Sequence, residues 1–371
     1  MQKDEILSTV VYVLMVAVAI ALGFAVIAPV FRGAQEILGM KNTVFVLLGI
    51  IVAILLNVIL FEVAHIVGAK IGGYKVHKVN ILGLEFSKDK DSKKVKVKFP
   101  RSFDGLTGET VIIPKNENSN PKAYVFSPLF VFLIEIMILI FCYVFITGSK
   151  TTKEFLPIKY IQVIIVSVGG MLFIYDYFPA KIDTLTDGYR IVLISKKINI
   201  KAYNTLLKIN SEIEDEPLKT FDEITDFTAL VNLEIAKKLR AENYEKSLDI
   251  LDKILTNKNN ISTETFNKTN TLKLYFLLQN KNKDEAKKVY VNLKTKSQTY
   301  IKETYTIDTI KTALLYFGQV ELDEVLCNHQ IDKIKKALNV FSNKRAEEEI
   351  AEIQLIIKEI NESQDKFKLI Y

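Results

Sequence analysis

Asn57-Val-Ile-Leu-Phe61-Glu62-Val-Ala-His65-Ile-Val-Gly-Ala-Lys70-Ile-Gly72-Gly73 is the stretch on which the fold turns. It ends an apolar run that carries no charge from Val44 to Phe61. A helix crossing a bilayer core needs about 20 mostly apolar residues, and Val44–Ala69 supplies them. Glutamate and histidine are costly inside such a helix, which makes Glu62 and His65 functional-site candidates by default. They stand three residues apart and share a helix face, and Phe61, one turn before His65, points the same way.

Outward from this stretch the chain shows two regimes. Its 371 residues are 49% hydrophobic and 25% charged, without tryptophan, at a mean hydropathy of +0.18. Long uncharged runs fill residues 1 to about 195, and the remainder is Lys/Glu/Asn-rich with helical spacing. The length suits two domains, and the composition shift near Asn199 places the cut. The expected organisation is an N-terminal transmembrane helix in 1–42, a membrane core in 43–198 and a cytosolic α-helical domain in 199–371. Cys142 and Cys327 form no disulfide framework, which suits a reducing compartment for the C-terminal half. The net charge of +6 is modest and unevenly placed. It bears on topology rather than on nucleic acid, and no nucleic-acid partner is expected. The Lys/Asn/Ile-rich usage fits an AT-rich bacterial genome.

Four segments are long enough to span: Ile6–Phe31, Val44–Ala69, Tyr124–Thr147 and Ile158–Phe178. The first is longer than a signal-peptide core and lacks a clear cleavage site, so it reads as a retained helix. The 70–122 loop carries twelve Lys/Arg, against Arg32, Lys41, Lys150, Lys153 and Lys159 on the other side. The positive-inside bias therefore gives a multi-pass cell-membrane protein with both termini cytoplasmic.

Between the second and third spans, Tyr74–Phe86 and Lys94–Phe99 alternate with period two and read as a β-hairpin. Arg101–Pro114 reads as a Gly-rich irregular stretch. The fourth span runs into Asp176-Tyr-Phe-Pro179 and then Asp187-Gly188. Aspartates around a proline break at a membrane boundary suit a cavity lining, and an ordinary interfacial loop capping a helix from Asp187 fits as well.

The C-terminal half reads as amphipathic helices at Phe227–Leu239, Tyr244–Leu255, Thr263–Leu278, Lys283–Leu293, Thr306–Phe317, Ile331–Phe341 and Arg345–Glu359. Similar junctions at Ala241–Leu251 and Gln279–Tyr290 recur at nearly forty residues, as helix-hairpin repeats do. An irregular, loosely tetratricopeptide-like array would present a surface to a protein partner. A plain helical bundle fits equally. Cys327-Asn-His329 is too isolated for a metal site.

With histidine at position 61, the first stretch would read His-Glu-x-x-His, the helical zinc signature. Its two imidazoles hold the metal and its glutamate activates the bound water. A third ligand is commonly a carboxylate, which Asp187 could supply. From this degenerate Phe-Glu-x-x-His motif, through Gly72-Gly-Tyr-Lys-Val, the hairpin, Gly105-Leu-Thr-Gly-Glu-Thr, Asp176-x-x-Pro179 and Asp187-Gly188, residues 44 to 195 resemble the site-2 proteases, intramembrane zinc metalloproteases. The Pro-to-Asp spacing is longer than in the best-known members.

The resemblance implies a membrane all-α core of about four spans with a β-hairpin, Zn²⁺ as cofactor, and a membrane protein or peptide as substrate. It makes His65 and Asp187 zinc ligands and Glu62 the general base, with Asp176, Pro179 and Gly188 accessory. Phe61 takes the place of the other histidine ligand and cannot bind metal. Zinc binding should therefore be weak or absent, because complete zinc sites carry large free energies. His77 is a conceivable replacement ligand, although the hairpin would face it to solvent. Phe61 fits a natural pseudoprotease, an inactivating substitution in an active protease, or a divergent enzyme with another ligand. Glu62 and His65 could also pair structurally with each other or with Asp187. The expected function is intramembrane proteolysis impaired at Phe61. The alternative is a non-catalytic pseudoprotease acting as a membrane peptide-binding scaffold or receptor.

Overall fold

The computed structural model describes residues 41–81, 84–88, 95–98, 108–116, 118–141, 156–177, 187–211, 219–338, 343–364 and 368–371, with isolated positions before 41 and at 144. The chain is mostly helical with a small antiparallel sheet, and it divides into two compact units, Met1–Asp215 and Glu216–Tyr371.

In the first unit, helices α1 (Lys41–Ile71), α2 (Lys122–Phe141) and α3 (Leu156–Tyr177) pack on one another. Two stretches, Val46–Ile71 and Lys122–Phe141, are long and apolar enough to cross a membrane; Ile161–Ile174 in α3 is a shorter apolar stretch. These overlap three of the four expected spans, and the first, Ile6–Phe31, falls on residues of which only isolated positions are described.

Helix α1 has two faces. Ala53, Asn57, Phe61, Ala64, His65 and Gly68 are buried, a stripe at the three- and four-residue spacing of one helix side. Val52, Leu55, Ile59 and Val63 are exposed on the other. The close approach of α1 to α2 depends on Gly68, where a Cβ would lie 2.3 Å from the Ala123 carbonyl oxygen.

The expected single hairpin is a four-stranded antiparallel sheet. Its strands β1 (Tyr74–Ile81), β2 (Leu84–Lys88), β3 (Val95–Lys98) and β4 (Gly108–Pro114) lie in the order β3-β2-β1-β4. Tyr74–Phe86 is thus two strands, folded so that Ile81 pairs with Leu84. Only Leu82 and Gly83 lie between the paired ends, the separation of a two-residue hairpin. The stretch expected to be irregular supplies β4, whose Thr110, Ile112 and Pro114 are buried on one side. Pairing with β1 shifts register between Val76 and Lys78, which makes half-buried His77 the extra residue of a bulge.

Gly73, at φ +83°, carries the chain from α1 into β1, and its carbonyl accepts from Lys115 N at 3.0 Å. Helix α4 (Asp187–Leu193) packs against α2 and α3. Helix α5 (Lys197–Asn210) belongs to this unit although it follows the composition shift. Its buried Asn204 accepts from the Tyr74 hydroxyl at 2.6 Å and donates to the Ser119 carbonyl at 2.8 Å. The division between the two compact units follows Asp215.

The second unit contains α6 (Asp226–Leu239), α7 (Tyr244–Thr256), α8 (Thr263–Gln279), α9 (Lys283–Asn292), α10 (Thr295–Glu303), α11 (Ile307–Tyr316), α12 (Glu324–Leu338) and α13 (Asn343–Ser363). Helix α10 had no counterpart in the sequence reading, and α12 begins seven residues before the expected Ile331. The two similar junctions are tight turns between helices that pack as pairs, α6 with α7 and α8 with α9. Asn243 caps α7 by accepting from Lys246 N, and Asn282 caps α9 by accepting from Glu285 N.

Candidate functional site

Glu62 and His65 stand on the buried face of α1 at 5% and 9% exposure, with Phe61 beside them at 6%. The sheet and α2 each hold one of the two polar groups. The Thr110 hydroxyl of β4 donates to Glu62 Oε2 at 2.5 Å. His65 Nδ1 lies 3.1 Å from the Tyr124 carbonyl at the start of α2, and the two rings are tilted at a 4.6 Å centroid separation. A carbonyl can only accept, so this contact places a proton on Nδ1 and leaves the lone pair of neutral imidazole on Nε2.

Tyr124 is itself fixed at both ends. Its hydroxyl donates to the Thr110 carbonyl at 2.9 Å, and its carbonyl also accepts from Ser127 Oγ at 2.7 Å. One tyrosine therefore links the strand that holds Glu62 to the helix that holds His65. Sequence reasoning missed Thr110 and Tyr124, because a hydroxyl in a strand read as irregular and a tyrosine at a helix start carry no local signal of their role.

Chemically the arrangement is an oriented imidazole and a hydroxyl-bound carboxylate, both shielded from water. An outer carbonyl that fixes the tautomer and ring orientation is the usual support of a metal-binding histidine. The donor set is nonetheless incomplete. Among the described residues no three His, Cys, Asp or Glu side chains gather to hold a metal ion. Phe61 offers a ring without a lone pair. Asp187 opens α4 and Gly188 is buried behind it, but the side chains of Asp187 and Asp176, and Pro179 altogether, lie outside the described residues. The described residues therefore do not by themselves fit zinc.

Two further polar groups lie in the same helices. Asn57, fully buried one turn before Phe61, donates from Nδ2 to Ala53 O at 2.9 Å and Ile165 O at 3.1 Å. Glu135 of α2 is 8% exposed. A lone acidic residue in an apolar helix is a readable signal, and Glu135 was missed although the same argument singled out Glu62.

The second unit has a charged cavity of its own. Glu234, Lys237 and Arg240 of α6, Tyr275 of α8, Lys311 of α11 and Glu352 of α13 are among its lining. Lys311 is bonded to Glu349 at 2.7 Å and Glu352 at 2.8 Å, and Tyr275 donates to Glu352. Burial alone would lower the Lys311 pKa, but the two carboxylates raise it overall. Burial would likewise raise that of Glu352, and the hydrogen bonds from Lys311 and Tyr275 bring it below the ordinary range. The Arg240 guanidinium lies 5.3 Å from the Tyr275 ring centroid and 5.7 Å from that of Phe276. Cys327 is buried, and burial pushes its thiol up to about 12; His329 on the same helix is exposed against Glu303.

No protein-family model matches the chain, and no curated protein or solved structure matches it.

Proposed function

We propose that this chain is a site-2 protease-like intramembrane metalloprotease whose hydrolysis is impaired because Phe61 stands where a zinc-binding histidine would. The observation that carries the reading is the burial of Glu62 and His65 on one face of a membrane-length helix, each met by a partner from a different element. Two costly polar groups held in one orientation imply a use that packing alone does not supply. On this reading the protein is multi-pass in the cell membrane with both termini cytoplasmic. His65, Asp187 and Glu62 keep the implied ligand and base roles, with Asp176, Pro179 and Gly188 accessory.

The substrate is a membrane protein or peptide with an extended segment. Strand β4 is an edge of the sheet and holds Thr110 against Glu62, so a segment added to that edge would lie next to the buried carboxylate. The helical second unit recruits a protein partner.

A second reading has its own support. Phe61 is almost fully buried in the inward stripe of α1, as a ring recruited for packing would be. That favours a non-catalytic scaffold or receptor that binds a membrane peptide at the same place.

Zinc content separates the two. The purified chain and its Phe61→His variant are each measured for bound zinc after metal exchange and desalting. Stoichiometric zinc in the variant only supports an impaired protease. Absence of zinc from both sinks the protease reading in favour of the scaffold, and stoichiometric zinc in both shows that another group replaces position 61.

A further inference from the structure

Among the described residues, three buried oxygens in the helix bundle of the first unit have no donor: Asn57 Oδ1 and both carboxyl oxygens of Glu135. Both side chains are more than nine-tenths buried. The amide nitrogen of Asn57 is fully occupied, because its contacts to Ala53 O and Ile165 O use both N–H groups. Oδ1 is therefore left as a pure acceptor.

The two side chains converge on one point of α3. A Cβ built on Gly169 would lie 2.4 Å from Asn57 Oδ1 and 2.6 Å from Glu135 Oε2. Only glycine leaves room for both oxygens. An ionised carboxylate facing an amide oxygen would repel it, and an isolated buried charge costs several kcal/mol even after relaxation. One proton removes both problems, since a protonated carboxyl becomes a donor while keeping acceptor capacity. A metal cation fits poorly: three oxygens, two from one carboxylate, fall well short of the six or more that hard cations take.

No other ionisable residue lies within a turn of Asn57, Glu135 or Gly169 on α1, α2 or α3. On α1, Glu62 and His65 are five and eight residues from Asn57, about 7 and 12 Å along the axis, and bond to Thr110 and Tyr124. On α2, Tyr124 bonds to Thr110. On α3, Tyr177 bonds to the Val125 carbonyl, and Asp176 is about 10 Å along the axis from Gly169. Helix α4 carries Asp187, Tyr189 and Arg190, of which Tyr189 and Arg190 have polar or ring contacts.

We propose that Asn57, Glu135 and Gly169 form a buried proton-binding site, in which Glu135 is held as the neutral acid and its O–H donates to Asn57 Oδ1. The proton clasps α1 to α2 at the surface of α3, one turn from Phe61. Loss of that proton opens the clasp. The inference is independent of the protease reading, because it uses none of Glu62, His65 or Asp187.

Infrared spectra of the full chain in lipid nanodiscs test it, since the carbonyl stretch of a carboxylic acid is separate from that of a carboxylate. At pH 7 the wild type should show an acid band that disappears in Glu135→Gln, a variant that keeps side-chain shape and neutrality. Asn57→Leu should move that band to higher frequency by removing its hydrogen-bond acceptor. An acid region identical in wild type and Glu135→Gln overturns the proposal, as does a band unmoved by Asn57→Leu. A band present in choline chloride but lost in sodium chloride makes sodium the occupant and also overturns it.

Discussion

The two units bury charge in opposite ways. In the second unit, Lys311 is 8% exposed at its side chain and is answered by two carboxylates, one of which also accepts from a tyrosine. In the first unit, the Thr110 hydroxyl donates to Glu62, and among the described residues Glu135 has no donor. A charge matched by opposite charge and hydrogen bonds is part of the scaffold. A carboxyl group kept in an apolar helix is costly and persists for another reason. The comparison predicts that neutralising a buried charge destabilises the second unit and does not destabilise the first.

The largest effect is expected at Lys311. Removing one partner of a fully buried ion pair costs about 3–5 kcal/mol because the other charge is stranded. Glu352 is 41% exposed and water relieves part of that penalty, so Lys311→Met should cost about 2–3 kcal/mol. Denaturant titration followed on second-unit signals checks this, and adding Glu349→Leu and Glu352→Leu should recover most of the loss. A harmless Lys311→Met would break the comparison on the side of the second unit.

Next in size is the hydroxyl at Glu62. Thr110→Val removes one hydrogen bond from the buried Glu62 carboxylate, at about 1–3 kcal/mol. Glu62→Gln keeps an acceptor for Thr110 while removing the charge, so stability should hold or rise by up to about 1 kcal/mol, as at functional sites that trade stability for use. Thermal unfolding in one detergent compares the pair. A Glu62→Gln loss as large as that of Lys311→Met would make Glu62 structural.

What was legible in the sequence follows the same division. The apolar runs of α1 and α2 and the lone polar pair in α1 stand out because hydrocarbon tolerates few exceptions. The capped helices of the second unit were readable to within a few residues at α6, α7, α8 and α9, where apolar spacing and Thr, Asn or Ser caps coincide. The sheet was half legible. Val79 and Ile81 alternate in one phase and Leu84 and Phe86 in the other, and the break at Gly83 marks a turn that a single-strand reading passes over. Strand β4 is short, glycine-led and closed by Pro114, and its paired residues lie 27 to 40 positions away, so only long-range pairing defines it. Helix α5 hides because Asn199 and Asn204 occupy buried positions where apolar periodicity would be sought. The grip of Thr110 and Tyr124 on the site is likewise a product of tertiary structure.

Acid should act on the second unit through Glu352. Its folded pKa lies below the ordinary value of 4.5, so the stabilisation is present above that value and fades as pH falls through the lower, folded one. Lys311, raised above 10.5, works in the opposite sense and loses its contribution only as pH rises past its folded value. Between these limits the cluster should be insensitive to pH. Fluorescence-detected unfolding of the wild type below pH 4.5, beside Glu352→Gln, measures the difference; curves that run parallel would remove Glu352 from the account.

The smallest effects sharpen the comparison most, because they probe the second unit where no charge is buried. Asn243 and Asn282 cap α7 and α9 through the same side-chain oxygen to N3 amide contact, at 3.0 and 3.3 Å. Replacing either with alanine frees one helix-end amide and should cost about 1 kcal/mol. The longer contact at Asn282 follows Lys281, which holds φ 58° and already carries backbone strain. Asn282→Ala should therefore cost less than Asn243→Ala, and Lys281→Gly should stabilise by relieving the left-handed residue. The capping sites lie in separate hairpins, so the double alanine variant should sum the two losses to within about 0.5 kcal/mol. If the sum held here and failed for Lys311 combined with Glu352, coupling in this unit would reside in the charge network rather than in the helix-hairpin frame.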